Sequence, residues 1–129
     1  MALTMPKPIS RKMHGMAADY PYAALTAAAP LLMGFRKEKA PSLLAYVLGG
    51  TTLLSSLMTR YEAGAVKKMP FKAHLTLDAV AGATALAAPW IFGFAKSRRA
   101  RNTFLGIGLV ALTVTLLTQA ENMDEDDEQ

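Results

Sequence analysis

Residues 73–95 read AHLTLDAVAGATALAAPWIFGFA, and residues 14–36 read HGMAADYPYAALTAAAPLLMGFR. Sliding the chain against itself by 59 positions, without a gap, lays Asp19 on Asp78, Ala28-Ala29-Pro30 on Ala87-Ala88-Pro89, and Gly34-Phe35 on Gly93-Phe94. The register continues through Gly49 on Gly108, Leu53 on Leu112, Leu57 on Leu116 and Thr59 on Thr118. A duplicated helical hairpin produces such a match. An export signal does not, although a basic start, an apolar stretch and Ala27-Ala28-Ala29 imitate one.

Outward from these two stretches, the charges fall in clusters. Lys7, Arg11 and Lys12, then Arg36, Lys37 and Lys39, then Arg60, Lys67, Lys68 and Lys72, and finally Lys96, Arg98, Arg99 and Arg101 account for all fourteen basic residues. Between them lie residues 20–35, 40–59, 73–95 and 102–120, in which His74 and Asp78 are the only His, Asp, Glu, Lys or Arg. Basic clusters flanking apolar runs read as membrane flanks. The net charge of +4 therefore does not imply nucleic acid, because no basic face gathers it. The 129 residues suffice for one domain, and the absence of cysteine excludes disulfides, iron–sulfur clusters and thiol catalysis.

A membrane-spanning helix needs about 20 mostly apolar residues. Three of the runs reach that length, the first by starting near Met16 with Asp19 in its first turn, and the fourth is slightly short but uninterrupted. Their Ala- and Leu-rich composition, without alternation, predicts helix and not strand. A soluble four-helix bundle would place polar residues along its outer faces. Residues 102–120 offer only Asn, Thr and Gln for that purpose. The predicted fold is all-α, with four transmembrane helices built from two helical hairpins. Two spans per repeat make the repeats parallel, related by an axis along the membrane normal.

The boundaries follow. A basic N-terminal segment covers 1–13, the first repeat 14–62, a connecting loop 63–72, the second repeat 73–121, and an acidic tail, read as disordered, 122–129. Pro30 and Pro89 remove a helical hydrogen bond from the carbonyls of Thr26 and Ala85, so each odd-numbered span should bend there, with Gly34 and Gly93 closing it. Trp90, Phe92 and Phe94 are placed in one aromatic belt, Tyr20, Tyr22 and Tyr61 in the other, with Trp90 as the principal interface anchor. Ala23, Ala27, Gly82, Gly49, Gly50, Gly106 and Gly108 are candidates for close helix packing.

The one constellation with chemistry is His74 with Asp78, four apart on one helical face, and its counterpart His14 with Asp19, five apart. The two pairs read either as helix-end caps or as proton- or ion-handling groups. Two imidazoles invite a haem, but no further ligand accompanies them. No catalytic residue, cofactor or metal is expected.

At these residues the chain resembles the SPW repeat family of small bacterial membrane proteins. Ala87-Ala88-Pro89-Trp90-Ile91-Phe92-Gly93-Phe94 after Asp78 carries the resemblance, and Ala28 to Phe35 after Asp19 repeats it over about residues 14–120. Alanine, Ala29 or Ala88, replaces the serine of the signature, and Leu31 replaces the first tryptophan. The resemblance implies an integral membrane protein of paired helices and no particular reaction. The expected function is therefore a non-catalytic structural or accessory subunit. It would sit multi-pass in a prokaryotic inner membrane and associate with itself or a larger complex. A small proton- or ion-coupled transporter is the alternative, and a cofactor-dependent membrane enzyme the third reading. Lys and Arg counts tie at seven on each side, and the density at 96–101 favours termini outside.

Overall fold

A computed structural model describes residues 7–59 and 61–120. The described residues are helical, joined by loops and two isolated bridges. A short α1 (Arg11–Met13) runs into a π-helical segment (His14–Asp19) and then α2 (Tyr20–Leu32), followed by α3 (Lys39–Met58), α4 (Phe71–Ile91) and α5 (Arg98–Leu117). The first helical run begins at Arg11, before the expected Met16, because the Ser10 hydroxyl accepts from the Met13 N–H and caps it. Similarly α5 begins at Arg98, four residues earlier than the apolar run, because Ser97 caps it through the Ala100 N–H. The helices α3 and α5 are long and apolar enough to cross a membrane. The expected tail at 122–129 lies outside the described residues.

The two predicted hairpins form, α2 against α3 and α4 against α5. Each turns on the same device. Gly34 and Gly93 adopt φ +79° and +77°, the left-handed region that glycine enters without steric cost. The Phe35 N–H then donates to Pro30 O at 2.9 Å and the Phe94 N–H to Pro89 O at 2.8 Å, closing both helices as Schellman motifs. Pro30 and Pro89 are each the third-last residue of their helix, fully buried. Their carbonyls receive the bond that closes each turn.

Within each hairpin the helices approach at glycine. A Cβ on Gly49 would come within 2.9 Å of Ala23 O, and one on Gly108 within 2.8 Å of Gly82 O. These contacts are the same contact repeated 59 residues on. Gly50 and Gly106 would meet nothing within 4 Å, so they are not packing glycines as expected. Phe35, Phe94 and Phe104 form a core near the hairpin turns with Ala45, Ala85 and Ala100. At the other end Tyr61, Phe71 and Leu75 form a second core. Phe94 and Tyr61 thus belong to the interior and not to aromatic belts, because the turns fold both rings back onto the helix ends. Trp90 stays on the surface, 61% exposed.

The glycine geometry makes opposite predictions for neighbouring positions. Gly108→Ala should destabilise the protein by about 1–3 kcal/mol, since the methyl group meets backbone that cannot move aside. Gly106→Ala should leave the stability unchanged or raise it by up to about 1 kcal/mol through helix propensity. Thermal unfolding of the two variants in the same detergent, read by circular dichroism, distinguishes the signs.

Candidate functional site

The two extended segments that precede the odd-numbered helical runs cross to the opposite hairpin. Ile9 bridges to Thr118, with its N–H donating to Leu117 O at 3.1 Å and its carbonyl accepting from Gln119 N at 2.8 Å. Met69 bridges to Thr59, and its N–H donates to Met58 O at 2.7 Å. Each bridge holds the C-terminal threonine of one hairpin beside the first helical turn of the other. His14 and His74 occupy those turns.

The one-residue difference in spacing between the pairs now has a structural account. His74 and Asp78 share a face of α4 at α-helical spacing, i to i+4. His14 and Asp19 are i to i+5, and they delimit the π-helical segment, whose wider turn brings the fifth residue back under the first. The inserted residue is absorbed without turning Asp19 away from His14. Both pairs therefore point inward, and the structure brings all four side chains together. His14 Nε2 lies 2.8 Å from Asp78 Oδ2 and 3.1 Å from Asp19 Oδ1. His74 Nε2 lies 2.9 Å from Asp19 Oδ2 and 3.1 Å from Asp78 Oδ2. The sequence reading kept these as two separate helix-end pairs; they are one centre. One ligand atom from each of the four residues falls within 4.8 Å of the others.

The centre is dry on most sides. Both imidazoles are at most 1% exposed, and Asp19 and Asp78 are 6% and 13% exposed. Phe71 stacks on His74 with ring centroids 6.0 Å apart at 10°, and meets His14 edge-on at 5.5 Å. Tyr61 closes the end, donating its hydroxyl to Asp19 Oδ2 at 2.8 Å. Burial, reinforced by the Asp19 carboxylate, pushes the Tyr61 phenol above its ordinary range, so it remains a donor. Gly15 makes room for this ring, because a Cβ there would approach Tyr61 to 2.6 Å. The open side is a groove of about 610 Å³ between α2 and α5, reaching Asp78 and His14 and walled by Tyr22, Leu25, Ile107 and Val110.

Thr59, Thr118 and Tyr61 complete the centre, and the sequence reading did not assign them to it. Thr59 accepts from His74 Nδ1 at 2.8 Å, and Thr118 from His14 Nδ1 at 2.8 Å. Each hydroxyl proton is already spent on a carbonyl four residues back, Ser55 O and Val114 O respectively. The oxygen can then only accept, so both Nδ1 atoms carry hydrogen and both Nε2 atoms are turned to the carboxylates. The 59-residue register does pair Thr59 with Thr118, but nothing local announces that each serves the other hairpin's histidine.

A further cross-link anchors the first helix. Arg11 Nε and Nη2 donate to Glu62 Oε1 and Oε2, each at 2.9 Å, a bidentate pair that ties α1 to the connecting loop. Arg11 was read as part of a membrane-flanking basic cluster. Its burial in this pair, 8% exposed, makes it an internal strut.

A family model described as SPW repeat domain matches residues 14–118. No curated protein matches the chain, and no solved structure matches it.

The Arg11 pair predicts a pH dependence with a definite sign. Its hydrogen bonds hold the Glu62 carboxyl below the ordinary value of 4.5, so the stabilisation is complete above that value and is lost as pH falls through the lower folded value. The melting temperature of wild type minus that of Glu62→Gln should be constant at neutral pH and shrink on acidification. Melts between about pH 3 and 6 cover the range in which a carboxylate titrates. An unchanged difference throughout would show that the pair carries no such linkage.

Proposed function

The chain belongs to the SPW repeat family, and from that premise we propose a four-span, non-catalytic integral membrane protein in which the His14–Asp19–His74–Asp78 centre handles a proton or a small cation. Family membership and the two apolar helices α3 and α5 support a membrane protein. The helical run from Arg11 to Leu32 and α4 complete the four spans in this reading, since about 22 residues at 1.5 Å each match a hydrocarbon core of roughly 30 Å. The distribution of side chains favours lipid. Leu25, Leu31, Leu54, Leu109 and Leu116 are each more than half exposed, whereas His14, Asp19, His74, Thr59 and Ser56 are buried. Water would penalise that arrangement, and hydrocarbon would reward it.

The observation that carries the proposal is the convergence of both repeats' ionisable residues on one buried point. Charged groups in a span are costly, and they are kept where they pair and line a path. Here the groove between α2 and α5 supplies the approach to Asp78. We place the protein in a prokaryotic inner membrane with the hairpin turns cytoplasmic, on the density of basic residues at 96–101.

A second reading is an accessory subunit associating with its own kind or with a larger complex. The exposed Gly50, with open space before it, favours it, since another helix can approach closely there. Gly50→Leu, which lies outside the groove, would then release a co-migrating polypeptide in mild detergent, whereas ion handling would be untouched.

The first reading is tested in proteoliposomes under an imposed pH gradient, and in a second series under an imposed gradient of divalent cation. Wild type should carry flux above protein-free vesicles, and Asp78→Asn should reduce that flux at least tenfold while retaining the helical spectrum and elution volume. Flux equal in wild type and Asp78→Asn would reject the reading.

A further inference from the structure

We infer that the His14–Asp19–His74–Asp78 centre is a binding site for one divalent transition-metal ion of borderline hardness, typified by Zn²⁺, ligated by the Nε2 atoms of both histidines and one oxygen of each aspartate. The inference deepens the cation reading above and rests on it only for the identity of the site, not for any movement of the ion.

Three features support it. The first is the donor set. Two imidazole nitrogens and two carboxylate oxygens within 4.8 Å of one another match the four-coordinate preference of Zn²⁺ for nitrogen and oxygen ligands. Bonds of about 2.0–2.1 Å to a tetrahedral ion put neighbouring ligand atoms roughly 3.4 Å apart. For the set with Asp19 Oδ2 and Asp78 Oδ2, the three nitrogen–oxygen separations of 2.8, 2.9 and 3.1 Å are a few tenths of an ångström short of that, which small side-chain rotations supply. Two imidazoles disfavour Mg²⁺ and Ca²⁺, which take oxygen.

The second feature is the orientation of the rings. Thr59 and Thr118 fix hydrogen on both Nδ1 atoms and thereby aim both Nε2 atoms at the point between the carboxylates. Histidines that bind metal are held in this way, with the distal ring N–H donated to a neighbouring acceptor. Tyr61 does the same for one carboxylate by donating to Asp19 Oδ2. The third feature is an atom without a partner. Among the described residues, His74 Nε2 is fully buried and makes no hydrogen bond of acceptable direction, although oxygens of Asp19 and Asp78 lie at 2.9 and 3.1 Å. A nitrogen surrounded by oxygens that it does not point at is arranged for something placed among them. One divalent ion also balances the two carboxylates while both imidazoles remain neutral ligands, which removes the net charge from a dry interior.

The test is a titration of full-length, chelator-treated protein in detergent with Co²⁺, which reports tetrahedral nitrogen and oxygen ligation through intense visible bands, followed by displacement with Zn²⁺. The expected result is one Co²⁺ per chain, displaced by one Zn²⁺ and not by Mg²⁺. Thr59→Val keeps every ligand and removes only the acceptor for His74 Nδ1, and it should weaken Zn²⁺ binding about 10–100-fold. His74→Gln should abolish the visible bands, with circular dichroism and elution volume confirming that the variant is folded. If it does not fold, the Thr59→Val measurement and the wild-type stoichiometry decide. Absence of stoichiometric Co²⁺ binding to wild type, or bands unchanged in folded His74→Gln, overturns the inference. Stoichiometric binding together with equal flux in wild type and Asp78→Asn would instead retain the metal site and reject transport. Flux carried by wild type and abolished in Asp78→Asn, with no metal bound by wild type, would do the reverse.

Discussion

Two carboxylates that face one another inside a low-dielectric bundle are the constraint around which the molecule is arranged. Either one alone would cost several kcal/mol to bury. Each hairpin supplies one aspartate and one histidine, and the shortest contacts run between hairpins, Asp78 with His14 and Asp19 with His74. The polar centre therefore joins two units that otherwise touch sparingly, the contacts within the hairpins being much the more extensive. The bridges at Ile9 and Met69, the Arg11–Glu62 pair and the Tyr20 hydroxyl on Ala63 O all lie at this same end. The opposite end relies on apolar contacts of Phe35, Phe94 and Phe104.

The arrangement sets polar groups inside and bulky apolar side chains outside. Helix-to-helix contact consequently depends on small residues and threonine, as where Ala23 backs on Gly49 and Gly82 on Gly108. Serine and threonine hydroxyls along α3, at Ser55, Ser56 and Thr59, satisfy themselves on carbonyls three or four residues back. They cost little in a dry interior, and Thr59 retains its lone pairs for a further task. The same residue type thus closes a helix and orients an imidazole.

Much of this was legible from the residues. The apolar runs bounded by basic clusters mark the four long helical segments, and the 59-residue register marks the hairpins and both turn glycines. The helix starts were not legible to the residue: α5 recruits Arg98 to Arg101 because Ser97 offers a cap, a local competition that hydropathy does not register. The two His–Asp pairs were visible as pairs, since i,i+4 spacing is a property of one helix. Their fusion into one centre depends on how two hairpins meet, and no periodicity encodes that. The five-residue spacing of His14 and Asp19 was visible as an irregularity, and only the π-helical turn shows it to be a compensated one. Phe94 and Tyr61 were misplaced because an aromatic near a helix end looks the same whether its ring swings outward to an interface or inward onto a core.

The crossing of the threonines has an evolutionary corollary. Thr118 of the second hairpin serves His14 of the first, and Thr59 of the first serves His74 of the second, so every half-site is completed in trans with respect to its own repeat. An ancestor bearing a single hairpin would have had to assemble as a symmetric homodimer, each copy lending its threonine and aspartate to the other's histidine. Gene fusion would then have turned two identical halves into one polypeptide. Once they were joined, the halves were free to diverge, and their His–Asp spacings came to differ by one residue.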